Sequence, residues 1–250
     1  MNFMIRRTDM LKQAKITYML NSGFIVELDQ TVLVFDYFQD PHHDIIPVMQ
    51  MGKQIYVFSS HVHYDHFNPV ISSFQEHVAR YFLSFDIKQN SEVEKIDAQK
   101  VNYLDTYDSY ISDKIKVKSF SSTDAGISFL VEVEGWTIFH AGDFNWWHWK
   151  GDTEENNSLA KNGFMKQMKK LAGLEADVAF FPVDLRMEEF CDLGVKEFCR
   201  RTTIKQLITM HNAQNAPWIP TKDLFEPGAD IPLWIPVKPG ETIQIIKQES

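Results

Sequence analysis

Short runs in which apolar and polar residues alternate dominate the chain, and that period of two is the signature of half-buried β-strands. Lys15–Leu20 (KITYML), Gly23–Leu28 (GFIVEL) and Thr31–Phe35 (TVLVF) are separated only by Asn-Ser and Asp-Gln, so they predict a meander of hairpins. Gln54–Phe58 (QIYVF) predicts another strand. Lys114–Phe120 (KIKVKSF), Ile127–Val133 (ISFLVEV) and Trp136–Phe139 (WTIF) predict a second meander, with Glu134-Gly135 as a tight turn. Val178–Phe181 and Gln206–Met210 are continuous apolar runs that read as buried strands, and Thr242–Ile246 closes the set.

Helical patterns are fewer. Asn68-Pro69 has the form of a cap followed by proline at the first helical position, which predicts a helix to about His77. Glu155 to Ala172 is the longest, with Leu159, Phe164, Met165, Met168 and Leu171 expected on one stripe. Its lysines Lys161, Lys166, Lys169 and Lys170 read as a solvated face. A third helix is expected from about Val195 to Thr202. Strand meanders followed by helices occur in both halves, with no linker or tandem repeat. The expectation is therefore one domain over residues 1–250, in which two β-rich halves pack as layers around one core.

Composition narrows the class. With 44% hydrophobic and 24% charged residues the chain is neither disordered nor fibrous. No apolar run reaches the ~20 residues of a membrane helix. The start, MNFMIRRTDMLKQAK, has no apolar stretch behind its arginines, so it does not read as a signal peptide. Together with only two cysteines, Cys191 and Cys199, expected as free buried thiols, this points to the cytoplasm and away from a membrane partner. The formal charge of −9 opposes long-range attraction to nucleic acid.

The densest chemistry lies in SSHVHYDHF, residues 59–67. Three of the chain's 9 histidines, His61, His63 and His66, stand there with Asp65. Imidazole and carboxylate together suit Zn, Fe or Mn. The segment follows an apolar strand and precedes a predicted helix, and four ligand-competent side chains in so short a loop suit two adjacent metals better than one. A second signal is positional. Asp36, His61, Asp143, Asp184 and His211 each stand just past the end of an apolar strand, where a rigid sheet delivers side chains to loops.

On these residues the chain resembles the metallo-β-lactamase superfamily over nearly its whole length. Asp36 matches that family's strand-end aspartate, residues 61–66 its His-x-His-x-Asp-His motif, Asp143 in FHAGD its bridging carboxylate, and His211 in ITMHN its last ligand. NSGFIVE and DAGISFLVEVEGWTIFHAGD are most similar to the branch containing L-ascorbate-6-phosphate lactonase. The resemblance implies an α/β fold, a four-layer αβ/βα sandwich of two mainly antiparallel sheets flanked by helices. It also implies metal ligation by His61, His63, Asp65, His66, Asp143 and His211, with one or two Zn²⁺ ions expected and Mn²⁺ or Fe as other candidates. A metal-activated hydroxide would then cleave a small ester, lactone or amide. Asp65 would bind metal and accept a proton, and Asp36 would hold a ligand in place.

One position departs from the family. Its third motif carries a histidine where SFSSTDAG stands here, and Ser121, Ser122 and Thr123 are poor zinc ligands. His140 is the candidate replacement; the alternative is a strand histidine satisfied by a hydrogen bond. Trp146, Trp147, His148 and Trp149 follow the bridging aspartate and either wall the substrate site or anchor the loop. Arg186 either clamps an anionic substrate group or pairs with Asp184. His42 and His43 either reach the mouth of the site or face solvent. The expected partner is a small molecule, with a homo-oligomer an open alternative. Phosphodiesterase action on a small cyclic phosphodiester and a non-catalytic metal sensor are the other functional readings. A di-iron oxygen-reducing protein fits less well, because that branch has Glu where His63 stands.

Overall fold

The computed structural model describes residues 11–212 and 217–248; residues 1–10, the start of the stretch read above for a leader, lie outside the described residues. The first half of the chain lays down β1 (Leu11–Leu20), β2 (Gly23–Glu27), β3 (Thr31–Phe35), helix α1 (Ile45–Met49), β4 (Gln54–Ser59), β5 (Val78–Ser84) and β6 (Val101–Leu104). Next come β7 (Ser109–Ile111), β8 (Ile115–Ser121), β9 (Ile127–Val133), β10 (Trp136–His140) and the long helix α2 (Glu154–Leu171). The chain then runs through β11 (Glu175–Ala176), β12 (Val178–Pro182), α3 (Leu193–Arg201), β13 (Thr203–Ile204), β14 (Leu207–Met210), β15 (Leu233–Trp234) and β16 (Thr242–Gln248).

Two sheets of 7 strands face each other, in the orders β16-β1-β2-β3-β4-β5-β6 and β15-β14-β12-β10-β9-β8-β7. The sheets are mixed rather than mainly antiparallel. In the first, β16, β1, β2 and β3 pair antiparallel, while β3 to β6 pair parallel. In the second, β7 to β10 pair antiparallel, while β10, β12, β14 and β15 pair parallel. The reason is that hairpins can only make antiparallel neighbours, whereas each crossover through α1, α2, α3 or a 3-10 turn returns the chain parallel. Aromatic and branched side chains from both inner faces fill the space between the sheets. Phe24 meets Phe180 at 4.5 Å and Phe58 meets Phe129 at 5.3 Å between ring centres.

The predicted strands appear with ends shifted by a few residues at most, except that the first runs back to Leu11. Glu134-Gly135 is a tight turn with both residues at positive φ, the type I′ geometry that matches strand twist. Elsewhere tertiary structure overrides local pattern. The helix expected from Asn68-Pro69 to His77 is a 3-10 turn over Pro69–Phe74, capped by the Asn68 side chain, because Val78 already belongs to β5. That strand (VARYFLS) and the short β6 and β7 were not foreseen, having neither clean alternation nor turn residues at both ends. In α2, Thr153 caps the first turn and Phe164, Met168 and Leu171 are buried. Leu159 is 63% exposed; five residues before Phe164, it stands roughly 140° round the helix and leaves the stripe. The α2 lysines are exposed, as a solvated face requires. Cys191 and Cys199 are both free, the first buried and the second half-buried. Among the described residues no helix is long and apolar enough to cross a membrane.

Candidate metal centre

The parallel strands β3 and β4 end together, and so do β10, β12 and β14 in the opposite sheet; the loops beyond these ends meet. Asp36 follows β3 at φ 43°, and its buried carboxylate accepts from the Ser60 amide at 2.7 Å, the Ser60 hydroxyl at 2.7 Å and His66 Nδ1 at 2.7 Å. His61 and His66 leave the end of β4 fully buried, while His63 between them is exposed. A single helical turn, with the His66 and Phe67 amides donating to His63 O, folds the motif back on itself. His211 follows β14 at φ 63°, and its Nδ1 stands 3.1 Å from Asp184 Oδ2, at the end of β12. Left-handed backbone at two non-glycine residues costs of order 1–3 kcal/mol each, a strain that collects at functional sites. The five strand-end residues singled out in the sequence, Asp36, His61, Asp143, Asp184 and His211, are thus brought together.

Asp143 is the hub. Its Oδ1 lies 3.1 Å from His66 Nε2 and 3.5 Å from His211 Nε2, and its Oδ2 lies 3.5 Å from His61 Nε2. Asp65 Oδ2 stands 3.7 Å from His66 Nε2. Among the described residues three overlapping groups have ligand atoms within 4.8 Å of one another: His61, His66 and Asp143; Asp65, His66 and His211; His63, Asp124 and Asp143. The outward nitrogens of the buried imidazoles are occupied. Ser60 gives its only proton to Asp36, so its oxygen accepts from His61 Nδ1 at 3.0 Å. The inward atoms face one another across the cluster, and His61 Nε2, His66 Nε2 and Asp143 Oδ1 are buried and make no hydrogen bond. Such orphaned groups are costly. Imidazoles oriented from behind by carboxylates and facing a shared carboxylate fit a divalent cation in chemistry and in placement.

Within the cluster the charges offset one another. Burial works against ionisation of Asp143, but the imidazoles of His66, His211 and His61 outweigh it and hold the carboxyl far below its usual range. Burial likewise opposes the charge on His211, yet Asp143 and Asp184 raise its pKa to about 10. His61 goes the other way, pushed down to about 4 by burial and by the neighbouring His66.

The cleft above these residues has a volume of about 550 Å³. Trp147 lines it, donating from Nε1 to Asp143 O at 3.0 Å and stacking on Trp149 at 5.9 Å. Trp146, expected beside it, is not brought to the cleft. Its ring stacks on Phe164 at 6.1 Å and opens on a different cavity beside α3, because successive side chains on this loop point to opposite sides. His148 likewise packs away, against Phe190 at 4.1 Å. Arg186 lines the cleft but its Nε lies 2.9 and 3.0 Å from the two Asp184 oxygens, so the ion pair is formed. His42 and His43 are exposed. His140 is no replacement ligand: Nε2 donates to Ser22 O at 3.0 Å, Nδ1 accepts from the Gly142 amide at 3.3 Å, and the ring stacks on Phe35.

Two participants were not foreseen. Asn21, in the β1–β2 turn, donates to Asp65 Oδ2 at 3.1 Å. Asp124, directly after Ser121, Ser122 and Thr123, reaches the group formed with His63 and Asp143. The signal for Asp124 was present in the sequence, since a carboxylate one position beyond the hydroxyls is a better ligand than any of them.

No protein-family model matches the chain, and no curated protein matches it in sequence. Solved structures do match in fold. The metallo-β-lactamase fold protein YhfI from Bacillus subtilis superposes with TM-score 0.59 at 11% identity, over 93% of this chain and 99% of that one. Igni18, a metallo hydrolase from Ignicoccus hospitalis, superposes with TM-score 0.57 at 17% identity, over 93% and 98%. CmlA, a diiron β-hydroxylase from Streptomyces venezuelae, gives TM-score 0.52 at 10% identity, over 79% of this chain and 44% of that one. The chain therefore has the metallo-β-lactamase fold. The strand-end cluster just described lies at the edge where its two sheets meet.

Proposed function

We propose that the protein is a metal-dependent hydrolase that cleaves a small ester, lactone or amide. The observation that carries this reading is the convergence of three buried atoms that make no hydrogen bond, His61 Nε2, His66 Nε2 and Asp143 Oδ1, beside an open cleft that Asp143 itself lines. His61, His63, Asp65, His66 and His211 are the proposed ligands, with Asp143 shared between two ions; Zn²⁺ is the favoured cation. A divalent cation bound there supplies a water ionised near neutral pH and a positive charge for the oxygen that gains electrons.

The chain's own residues do the rest. Asp36 and Asp184 hold the His66 and His211 rings with Nε2 inward, so that no reorientation is needed when a ligand arrives. Asn21 fixes the Asp65 carboxylate at the rim, where it can take a proton from the attacking water. Trp147 and Trp149 offer stacked aromatic walls to an apolar acyl or ring group, and a cleft of about 550 Å³ suits a small molecule.

The test pairs elemental analysis of protein purified without added metal with a panel of chromogenic lactones, esters, amides and phosphodiesters. Bound metal with turnover of a carbonyl substrate, abolished in Asp143→Asn together with metal loss, is the expected result. Turnover confined to phosphodiesters would replace the substrate class, and bound metal with no turnover would make the protein a sensor.

A further inference from the structure

The two ends of the histidine–carboxylate cluster are built differently. At the inner end, His66 and His211 are buried, and each has its Nδ1 on a buried carboxylate, Asp36 at 2.7 Å and Asp184 at 3.1 Å. A carboxylate behind an imidazole fixes the ring and strengthens it as a donor. At the outer end, His63 and Asp124 are exposed, and among the described residues no hydrogen bond to the His63 ring is formed. His61, between the ends, has behind its Nδ1 the neutral hydroxyl of Ser60 at 3.0 Å instead of a carboxylate.

Asp124 is nevertheless held. Thr123 Oγ1 accepts from the Asn145 amide at 2.9 Å and donates to Asn145 O at 2.6 Å, tying the loop to the segment after Asp143. On the other side the Ile127 amide donates to Ser60 O at 2.9 Å. Gly126 permits that approach: at its φ of +65° a Cβ would lie 2.0 Å from Ser60 O and 2.5 Å from His61 Cβ. The loop is thereby seated against the motif that carries His61 and His63. Asp124 stands with His63 within ligand distance of the buried Asp143, in the segment where the family resemblance implies a histidine.

We propose that Asp124 supplies the ligand the absent histidine would have given, and that the centre therefore has a tight inner site and an exchangeable, oxygen-rich outer one. The inner site takes Asp65, His66 and His211, the outer one His61, His63 and Asp124, and Asp143 serves both. Exchanging an imidazole for a carboxylate shifts the outer site's preference from nitrogen-seeking Zn²⁺ towards harder cations such as Mn²⁺. This inference rests on the metal-centre reading above and adds to it the inequality of the two sites.

The experiment is a chelator-buffered titration of the metal-free full chain with Zn²⁺ and, separately, Mn²⁺, with bound metal counted by elemental analysis. Two equivalents are expected, the second at least about tenfold weaker than the first. Asp124→Ala should lose the weaker equivalent and keep the stronger, with an unchanged thermal midpoint for the metal-free protein, since the side chain is exposed. Asp124→His should keep both equivalents and raise the Zn²⁺ over Mn²⁺ affinity ratio of the weaker site about tenfold or more. Asp124→Ala that still binds two ions with wild-type constants overturns the assignment, as does a wild type with two equal sites. A single ion in both wild type and variant overturns the inference and leaves the metal centre standing. No ion in the wild type overturns both.

Discussion

Two aspartates perform the same task in opposite sheets, and they are supported in opposite ways. Asp36 follows β3 and holds His66, which leaves the adjacent parallel strand β4; Asp184 follows β12 and holds His211, which leaves the adjacent parallel strand β14. In each pair a residue just past a strand end has a left-handed backbone, Asp36 in one and His211 in the other. Asp36 is fully buried and faces buried groups, Ser60, His66 and, at 3.9 Å, His140. Asp184 shares its carboxylate with Arg186, whose side chain is 52% exposed. The first pair is locked by desolvated hydrogen bonds, the second is tied to a solvated cation, and a buried bond is much harder to replace than a solvent-facing one.

The sharpest way to break the comparison is Asp36→Ala. It leaves the Ser60 amide and the buried His66 without their acceptor, so the metal-free protein should lose ~3–5 kcal/mol of unfolding free energy in urea. A loss below about 1 kcal/mol would mean that Asp36 is not the anchor. Asp184→Asn is expected to fold but to bind the inner ion ~10–100-fold more weakly, because His211 loses its oriented carboxylate.

A pH series on metal-free protein sharpens the same contrast. Burial disfavours charged His211, yet Asp143 and Asp184 raise its pKa to about 10, above the ~6.5 of an unfolded histidine. Its contribution to stability is therefore fully present below ~6.5 and disappears as pH rises through about 10. Urea midpoints of Asp184→Asn should fall at a lower pH than those of the wild type; superimposable profiles would remove Asp184 from the pairing. The smallest effect is expected from Arg186→Gln, at most ~1 kcal/mol in stability, as for other solvent-exposed ion pairs. Metal affinity in that variant should stay close to wild type, and a drop as large as in Asp184→Asn would show that Arg186 sets the geometry of His211.

Most strands and the cluster His61, His63, Asp65 and His66 could be read from the chain because both are local signals, a period of two and a ligand spacing. What escaped was set by neighbours distant in sequence. That Trp146 and Trp147 follow Asp143 was visible, but which of them faces the cleft depends on where Phe164 of α2 sits. His140 looked available only because its partners, Ser22 O and Phe35, belong to the other sheet. The helix expected after Asn68 shortened to a 3-10 turn because β5 pairs with β4 so soon afterwards.

By itself the sequence determined the kinds of donor and their positions at the ends of apolar strands, since side-chain chemistry and strand periodicity are properties of short segments. Only the tertiary structure decided which donors share a cation-sized space. That depends on two sheets packing so that residues from 36 to 211 meet within a few ångströms, with Asp124 among them and His140 turned away. No local pattern carries that information, because contacts between distant segments arise from burying two apolar faces against each other.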